Sequence, residues 1–398
     1  MKTEMPQLKR HLGYRKFQNP PYRFLFLKYD YFLQHQLLSE LRRQGHEAIE
    51  LELPRQIPAE EVLRLVLGKL AAFKPDALIA LNNMGLDKRG VILDVLGELT
   101  VPVIIWYLDN YRFSGPYLTK PAPETTVIFS SDKALRATLE EVGFSNAFYL
   151  PLATDITYST VRYDDRYTYL RDKVTYVGGT FSKMINHFAA DEYEAMYLEW
   201  QPDFAAIMQR NGRISVDELF APYQERFPNL ESYYRFMAYV VFKQTRDYRV
   251  GRLSILANEQ LVVFGREDWS NYLPEQVIQP PVQYSLETPN VYRNSCINLS
   301  LTTFQQETAL NQRLFDVPLC NGFVLTDWKE SLADHFDLDE EVVYFKNDEE
   351  LLDKVRYYLK NPSAREPIIQ KARERILREH LMEHRVKTML ETVKDVLK

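Results

Sequence analysis

Short apolar runs alternate with stretches of helical periodicity along the first 155 residues of the chain. The runs that predict buried strands lie at 23–28, 48–53, 77–81, 103–107, 126–130 and 147–150. The stretches in which apolar residues recur every three or four positions, as in amphipathic helices, lie at 31–41, 59–73, 88–99 and 133–142. This repeated order of strand and helix predicts a parallel sheet with right-handed crossovers.

Polar residues follow several of these predicted strands. They are Lys28, Tyr29, Asp30, Asn82, Asn83, Asp109, Asn110 and residues 130–132. The carboxyl ends of parallel strands share one edge of a sheet, and ligands bind outside that edge in open α/β sheets. We therefore expect this rim to line a binding crevice.

The pattern changes in the second half of the chain. Residues 174–180 predict a strand that ends in two glycines, and residues 183–248 carry aromatic and apolar side chains at helical spacing, which predicts a helical insertion. The strands predicted after the insertion lie at 261–264, 295–299, 322–326 and 342–345. Helices are predicted up to residue 258, over 309–315, over 348–359 and, as one charged helix, over 367–398.

The whole pattern predicts an α/β fold with two Rossmann-like, doubly wound domains that face a cleft, the second carrying the helical insertion. We expect an N-terminal extension at 1–22, a first domain at 23–155, a second domain at 156–366 with its insertion at about 183–248, and a C-terminal helix at 367–398.

Composition narrows the classes of function. The net charge of −6 argues against a nucleic-acid partner, and no leader or membrane-spanning apolar run is recognised, so a cytoplasmic protein is expected. Cys296 and Cys320 lie in apolar surroundings that favour buried free thiols. The scattered histidines lack the spacing of a zinc site, and no metal site is predicted.

One predicted loop and helix favour binding of a nucleoside diphosphate. A helix starting near Ala309 would leave backbone N–H groups of Thr308, Ala309 and Leu310 available to an anion. Arg313 adds a fork of donors for a phosphate, and Asp316 can accept hydrogen bonds from ribose hydroxyls. On spacing alone, the alternative is a surface helix whose Arg313 and Asp316 are solvated.

Two further stretches are candidates for the same ligand. Gly178 and Gly179 end a predicted strand, and glycine permits close approach of a phosphate and tolerates positive φ. Arg266 follows another predicted strand and could flank the base or the diphosphate. A tight turn without a ligand is the alternative for each stretch.

The C-terminal half carries a recognisable run, RLFDVPLCNGFVLTD, from Arg313 to Asp327. Together with WYLD from Trp106 to Asp109 and YLPLATD from Tyr149 to Asp155, it resembles the CgeB-like glycosyltransferases, which are bacterial relatives of the glycogen-synthase-like group. The resemblance covers most of the chain and is weakest across the insertion.

This resemblance implies a GT-B fold and a metal-independent enzyme without a cofactor, whose donor is a nucleotide sugar, in particular a UDP-sugar. It also implies that the C-terminal helix crosses back to the first domain. Asp316 stands where the larger group usually has Glu, and Thr308 stands where that group has a first acidic residue, with Glu307 as a substitute only if the loop is shifted. Retention or inversion of the sugar configuration therefore stays open.

Sugar transfer requires a group that accepts the proton of the acceptor hydroxyl. Asp109 is the first candidate because it follows the apolar run at 103–107, whose carboxyl end should face the crevice. Asp30 and His35 are the other candidates, and a loop-ordering role is the alternative for Asp109.

The sequence thus predicts a hexosyltransferase-like glycosyltransferase that uses a nucleotide sugar and an unidentified acceptor. Two alternatives stay open. One is a GT-B epimerase. The other is a non-catalytic sugar-nucleotide binder or a cell-surface or spore-coat assembly protein, which the departures at Thr308 and Asp316 keep open.

Overall fold

A computed structural model of the chain describes residues 5–29, 31–53, 57–118, 120–208, 216–265 and 267–398. The chain divides into two compact units. The first comprises Met1–Pro151 with Met382–Lys398, and the second comprises Leu152–Leu381.

The first unit is built on a parallel sheet of six strands in the order β2-β1-β3-β4-β5-β6. The strands are β1 (Arg23–Lys28), β2 (Glu47–Glu52), β3 (Ala77–Leu81), β4 (Val103–Tyr107), β5 (Thr126–Ser130) and β6 (Ala147–Tyr149). Helices in the first part of the chain are α1 (Met5–Leu12), α2 (Gln34–Arg43), α3 (Ala59–Phe73), α4 (Val91–Glu98), α5 (Tyr111–Ser114) and α6 (Leu135–Glu141).

Helix α3 illustrates how the local sequence forms these elements. Glu60 and Glu61 occupy its first turn, where the positive end of the helix dipole favours acidic side chains. Val62, Val66 and Leu70 recur every four residues on its buried face, and the same apolar cluster contains side chains of β1, β3 and β4. The core of the first unit therefore lies between the sheet and its flanking helices.

The second unit holds another parallel sheet of six strands, in the order β12-β11-β10-β7-β8-β9. Its strands are β7 (Val174–Val177), β8 (Leu261–Phe264), β9 (Ile278–Gln279), β10 (Ile297–Ser300), β11 (Val324–Asp327) and β12 (Val343–Phe345). Helices α7 (Ser182–Phe188), α8 (Tyr193–Met208), α9 (Val216–Phe220) and α10 (Leu230–Ile255) lie between β7 and β8. The remaining helices of this unit are α11 (Thr288–Asn294), α12 (Arg313–Leu319), α13 (Asp348–Lys360) and α14 (Pro362–Glu379).

The predicted helical insertion differs from the observed helices at its end. Helix α10 does not stop near residue 248 but continues to Ile255, because the buried positions Thr245, Arg249 and Leu253 keep the four-residue spacing past that point. The structure also contains α1, the two-residue strand β9 and α11, which the periodicity did not predict.

The prediction of a single helix over 367–398 is wrong. The structure has α14 and then α15 (Met382–Val396), and the second of these belongs to the first unit. The helix ends because Leu381 forms a parallel bridge with Thr154, and the carbonyl of His380 accepts a hydrogen bond of 3.1 Å from the Thr154 amide. Among the described residues, every helix is too short or too polar to cross a bilayer.

Candidate functional site

The order of strands in the second sheet identifies one place where its connections reverse direction. Strand β7, which comes first in this sheet, lies between β8 and β10. Chain connections leave such a pair of neighbouring strands on opposite sides of the sheet, and a crevice opens outside their carboxyl ends. In this unit the crevice lies beyond Val177 of β7 and Ser300 of β10.

Gly178 lies directly after β7, at a position with little room for a side chain. A Cβ atom there would lie 2.8 Å from both the Arg313 Nη2 atom and the Tyr176 hydroxyl. Neither Gly178 nor Gly179 has φ in the left-handed region, so the expected use of positive φ is wrong for this loop. The glycine at 178 instead lets the chain pass directly beneath the Arg313 guanidinium.

Arg313 is the first residue of α12 and reaches back to β7. Its Nη2 donates to the Val177 carbonyl, and its guanidinium carbon lies 5.0 Å from the centre of the Tyr176 ring. Its Nε atom is buried without a hydrogen-bond partner. The structure thus brings the predicted residues Arg313, Gly178 and Gly179 together at the reversal point.

A second arginine, Arg249 of α10, has its guanidinium carbon 5.8 Å from the centre of the same Tyr176 ring. It is 3% exposed, its Nη1 donates to the Gly179 carbonyl at 3.2 Å and its Nη2 to the Leu301 carbonyl at 3.4 Å. Its Nε atom is also buried without a partner. Burial lowers the pKa of Arg249, and the neighbouring charge of Arg313 adds to this effect.

Neither guanidinium forms an ion pair with a carboxylate in the part of the chain that the structure describes. The carboxylate of Asp327 is already engaged, because its oxygens accept from the Thr302 amide and hydroxyl and from the Tyr248 hydroxyl at 2.7–2.9 Å. Buried charges are normally paired. Arg249 and Arg313, whose Nε donors are buried without a hydrogen-bond partner, therefore form a site suited to a multiply charged anion.

Sequence reasoning missed Arg249. The residue lies one position beyond the predicted insertion. Its hydrogen-bond partners, the carbonyls of Gly179 and Leu301, are distant in sequence and cannot be recognised without the fold. The sequence feature that could have identified Arg249 is its place on the apolar face of the helix. Thr245, Arg249 and Leu253 are all buried at four-residue spacing, and an arginine on such a stripe is unusual unless it has a partner or a ligand.

The loop before α12 differs from the prediction. Helix α12 begins at Arg313 and not at Ala309, because Lys329 donates to the carbonyls of Gln306 and Ala309 at 2.9 and 2.8 Å. A helix starting at Ala309 would use the Ala309 carbonyl for its own hydrogen bond.

Thr308, Ala309 and Leu310 therefore precede the helix, and the argument from a helix N-terminus does not apply to them. Whether they contact a donor stays a prediction. Glu307 is buried, and its carboxylate accepts a hydrogen bond of 3.1 Å from the Val216 amide of α9.

Asp316, one turn further along α12, is 1% exposed. Its oxygens accept from the Gln312 amide and the Tyr284 hydroxyl, each at 2.8 Å. Burial raises the pKa of the Asp316 carboxyl to about 6, although these hydrogen bonds oppose the shift. The Gln312 side-chain carbonyl is buried without a partner. Asp316 and Arg313 thus have different neighbours on the same helix.

Asp109 in the first unit follows β4 and is half-buried. Its Oδ2 accepts from the Tyr31 hydroxyl and, at 2.7 Å, from the Asn82 amide. The Asn82 carbonyl oxygen in turn accepts from the amides of Leu108 and Asp109 at 2.8 and 3.1 Å. Burial and the Asp109 charge raise the pKa of Tyr31, so its hydroxyl stays protonated and donates.

The other sequence-predicted candidates are placed as follows. His35 is exposed on α2. Asp30 and Arg266 lie outside the described residues. In the ranges that the structure describes, no group of three or more His, Cys, Asp and Glu side chains is arranged to hold a metal ion.

Comparisons with known proteins agree with this architecture. Residues 246–391 match the model of the family described as Glycosyl transferase-like. No curated protein matches the chain in sequence.

Several solved structures resemble the whole chain. A glycosyltransferase from Rickettsia africae is 10% identical with a TM-score of 0.51, and the alignment covers 96% of this chain and 100% of that one. HepE from Anabaena, in complex with UDP-glucose, is 9% identical with a TM-score of 0.53, covering 94% and 100%. Sucrose-phosphate synthase from Thermosynechococcus elongatus is 9% identical with a TM-score of 0.53, covering 94% and 98%. These likenesses confirm the predicted α/β fold of the GT-B type with two Rossmann-like domains.

Proposed function

We propose that this chain is a glycosyltransferase that moves a hexose from a nucleoside diphosphate sugar to the hydroxyl of an acceptor. The observation that carries the proposal is the pair formed by buried Arg249 and half-buried Arg313, which make no ion pair with a carboxylate among the described residues and whose Nε atoms are buried without a hydrogen-bond partner. A diphosphate would give these two guanidinium groups direct anionic partners, which they lack among the described residues.

The comparisons support this choice of chemistry. The matched domain is described as glycosyl transferase-like, and the Anabaena structure holds UDP-glucose. We therefore propose a UDP-sugar as the donor. The run from Arg313 to Asp327 further supports a place among the CgeB-like enzymes.

The arginines also suit the chemical step. Negative charge grows on the terminal phosphate as its bond to the sugar breaks, and fixed positive groups in a site with little water stabilise that charge. Arg313 is held by the Val177 carbonyl and Arg249 by those of Gly179 and Leu301. Little reorganisation is then needed when the charge develops.

Asp316 is proposed to bind the ribose. Its Oδ2 now accepts from Tyr284, and a ribose hydroxyl would share or replace that bond. The partnerless Gln312 carbonyl could accept from a second hydroxyl. In the first unit, Asp109 is proposed to accept the proton of the acceptor hydroxyl, with Tyr31 and Asn82 holding its carboxylate.

A panel of nucleotide sugars, incubated with the purified protein and followed by mass spectrometry, tests the proposal. Slow release of free sugar and nucleoside diphosphate in the absence of an acceptor is expected. Interconversion of the donor sugar would instead indicate an epimerase. Binding of donors without any turnover would indicate the non-catalytic alternative.

The variant Asp316→Asn is expected to be more stable than the parent at pH 8 by about 1–3 kcal/mol. The folded protein binds the Asp316 proton more tightly than the unfolded chain, so the ionised carboxylate lowers stability above pH 6, and this loss disappears as the pH falls toward 4. Denaturant unfolding at both pH values measures the difference. Donor affinity should fall by about 1 kcal/mol, because a charged acceptor is lost. Equal stabilisation at pH 4 and 8 would contradict the assignment.

Turnover is expected to persist in excess chelator, because the sequence places no acidic pair after a strand to hold a metal on the diphosphate. The measurement compares rates in EDTA with rates after addition of magnesium or manganese. Complete loss in EDTA that either metal restores would refute metal independence.

A further inference from the structure

The turn after β8 packs directly on the loop that follows β7. The buried Trp269 donates from its indole Nε1 to the Gly178 carbonyl at 2.8 Å, and its ring meets the Tyr176 ring edge-on with centres 6.0 Å apart. A Cβ atom at Gly265 would lie 2.4 Å from the Trp269 ring and 2.7 Å from the Gly178 carbonyl oxygen. The turn is therefore fixed beside the segment 177–179, to which both arginines of the proposed phosphate site donate.

Asp268 lies in this turn and brings a carboxylate to the same loop. Its Oδ2 accepts from the hydroxyl of Thr180, a buried residue that directly follows Gly179. Its Oδ1 is buried and has no hydrogen-bond partner among the described residues. Because Arg249 donates to the Gly179 carbonyl at 3.2 Å, the carboxylate is bonded one residue further along the loop than an arginine of the phosphate site.

The chemistry of the Asp268 carboxylate indicates which part of a donor it would contact. A buried carboxylate oxygen without a partner is costly, because a charged acceptor loses its hydration on burial. A carboxylate repels phosphate groups, but it accepts hydrogen bonds from hydroxyls. Asp316, which is proposed to bind the ribose, has other partners, Tyr284 and Gln312, so the two carboxylates are separate acceptors. The hexose is the remaining part of a nucleotide sugar that offers hydroxyls beside the diphosphate.

We propose that Asp268 accepts a hydrogen bond from a hydroxyl of the transferred hexose and thereby determines which donor sugars bind. The proposal rests on the proposed glycosyltransferase function. Thr180 holds one carboxylate oxygen, so the side chain is already oriented when the sugar arrives, and little conformational freedom is lost on binding. A site built to accept from a hydroxyl rejects an analogue that lacks it, because the buried acceptor is then left without a partner.

Calorimetry on the full chain with UDP, UDP-glucose, UDP-galactose and UDP-N-acetylglucosamine tests this role. For the UDP-hexose that the parent binds most tightly, Asp268→Asn should lower affinity about tenfold, because a charged acceptor is lost while the size of the side chain is kept. Affinity for UDP should stay equal or rise, because UDP carries no hexose and a negative charge near its phosphates is removed.

Monodeoxy analogues of the same UDP-hexose identify the hydroxyl that Asp268 contacts. The parent is expected to bind one of these analogues about tenfold more weakly than the intact sugar nucleotide. Asp268→Asn should bind that analogue and the intact sugar nucleotide about equally, because the residue and the hydroxyl act through one interaction.

Glu275→Gln is the matched control. Glu275 is exposed in the segment Glu275–Val277 before β9, and its replacement removes the same charge without altering a contact of the loop after β7. This variant should bind every ligand as the parent does. Thr180→Val keeps the Asp268 carboxylate but removes the hydroxyl that orients it, so affinity for the UDP-hexose should fall by a smaller factor and affinity for UDP should not change.

Unchanged affinity of Asp268→Asn for the UDP-hexose would overturn the assignment. An equal loss for UDP and the UDP-hexose would also overturn it, because the residue would then act on the nucleotide. If Asp268→Asn does not fold, the parent and Thr180→Val decide: equal binding of all monodeoxy analogues by the parent, or an unchanged affinity in Thr180→Val, counts against the role. A parent protein that binds neither UDP nor any of the UDP-hexoses would refute the proposed function itself, and the inference with it.

Discussion

Replacing Asp109 with asparagine is expected to lower turnover about 10²–10⁴-fold, the usual contribution of a positioned base, while donor affinity stays unchanged. The variant keeps the size of the side chain and an oxygen that can still accept from Asn82 or Tyr31. It removes the proton acceptor. Initial rates with a saturating donor and calorimetric titration of the donor separate the two effects.

Tyr31→Phe is the control for this experiment. It removes one hydrogen bond to Asp109 but leaves the carboxylate, so its effect on turnover should stay within about tenfold. If Asp109→Asn also stays within a few-fold of the parent, the base lies elsewhere, and His35 and Asp30 are the next residues to replace. If the Asp109→Asn protein does not fold, Asp109 orders the loop after β4.

Arg249→Gln is expected to weaken binding of UDP about 10–100-fold, the scale of losing hydrogen bonds to a charged group. Glutamine keeps an uncharged amide donor but ends two bonds before the Arg249 Nη1 atom, which now donates to the Gly179 carbonyl at 3.2 Å, so this backbone contact is weakened as well. The positive charge and the Nε donor are lost. Calorimetry with UDP measures the change directly and does not depend on the unknown acceptor.

Arg246→Gln serves as the matched control on the same helix. Arg246 pairs with Asp247 and lies over the Tyr272 ring, so its charge is already partnered and UDP affinity should hardly change. Arg313→Gln should act in the same direction as Arg249→Gln. The double variant should lose less than the sum of the two, because both residues would contact one ligand. An unchanged affinity in Arg249→Gln would remove the residue from the donor site.

The central strands of the first sheet were predictable from sequence to the residue. Strands β3, β4 and β5 are buried along their whole length, and such strands appear as uninterrupted apolar runs. Helix α3 was equally clear, because its buried face follows a regular spacing. In these elements the apolar positions of the sequence are also the buried positions of the structure. Strand β9, with two residues, is too short to leave a pattern.

The candidate site was predictable only in part, because several of its features depend on contacts distant in sequence. The start of α12 is shifted by Lys329, which lies 20 residues after the carbonyl it binds at Ala309. Arg249 faces Gly179 across 70 positions of chain. Asp316 was expected to accept from ribose hydroxyls or to be solvated, but it is 1% exposed and accepts from the hydroxyl of Tyr284, 32 residues earlier. Periodicity carries no information on such pairs.

The division of the first unit between two stretches of chain has a consequence for synthesis on the ribosome. Met382, Val386 and Met389 of α15 are buried, the Arg385 guanidinium donates to the Pro151 carbonyl at 2.8 Å, and the Gln44 side chain of α2 donates to the Glu383 carbonyl at 3.3 Å. These contacts form only after all of Leu152–Leu381 has been translated. Until α15 has been synthesised, the apolar surface of the first unit that α15 covers stays exposed. This exposed surface makes the nascent first unit a substrate for chaperones.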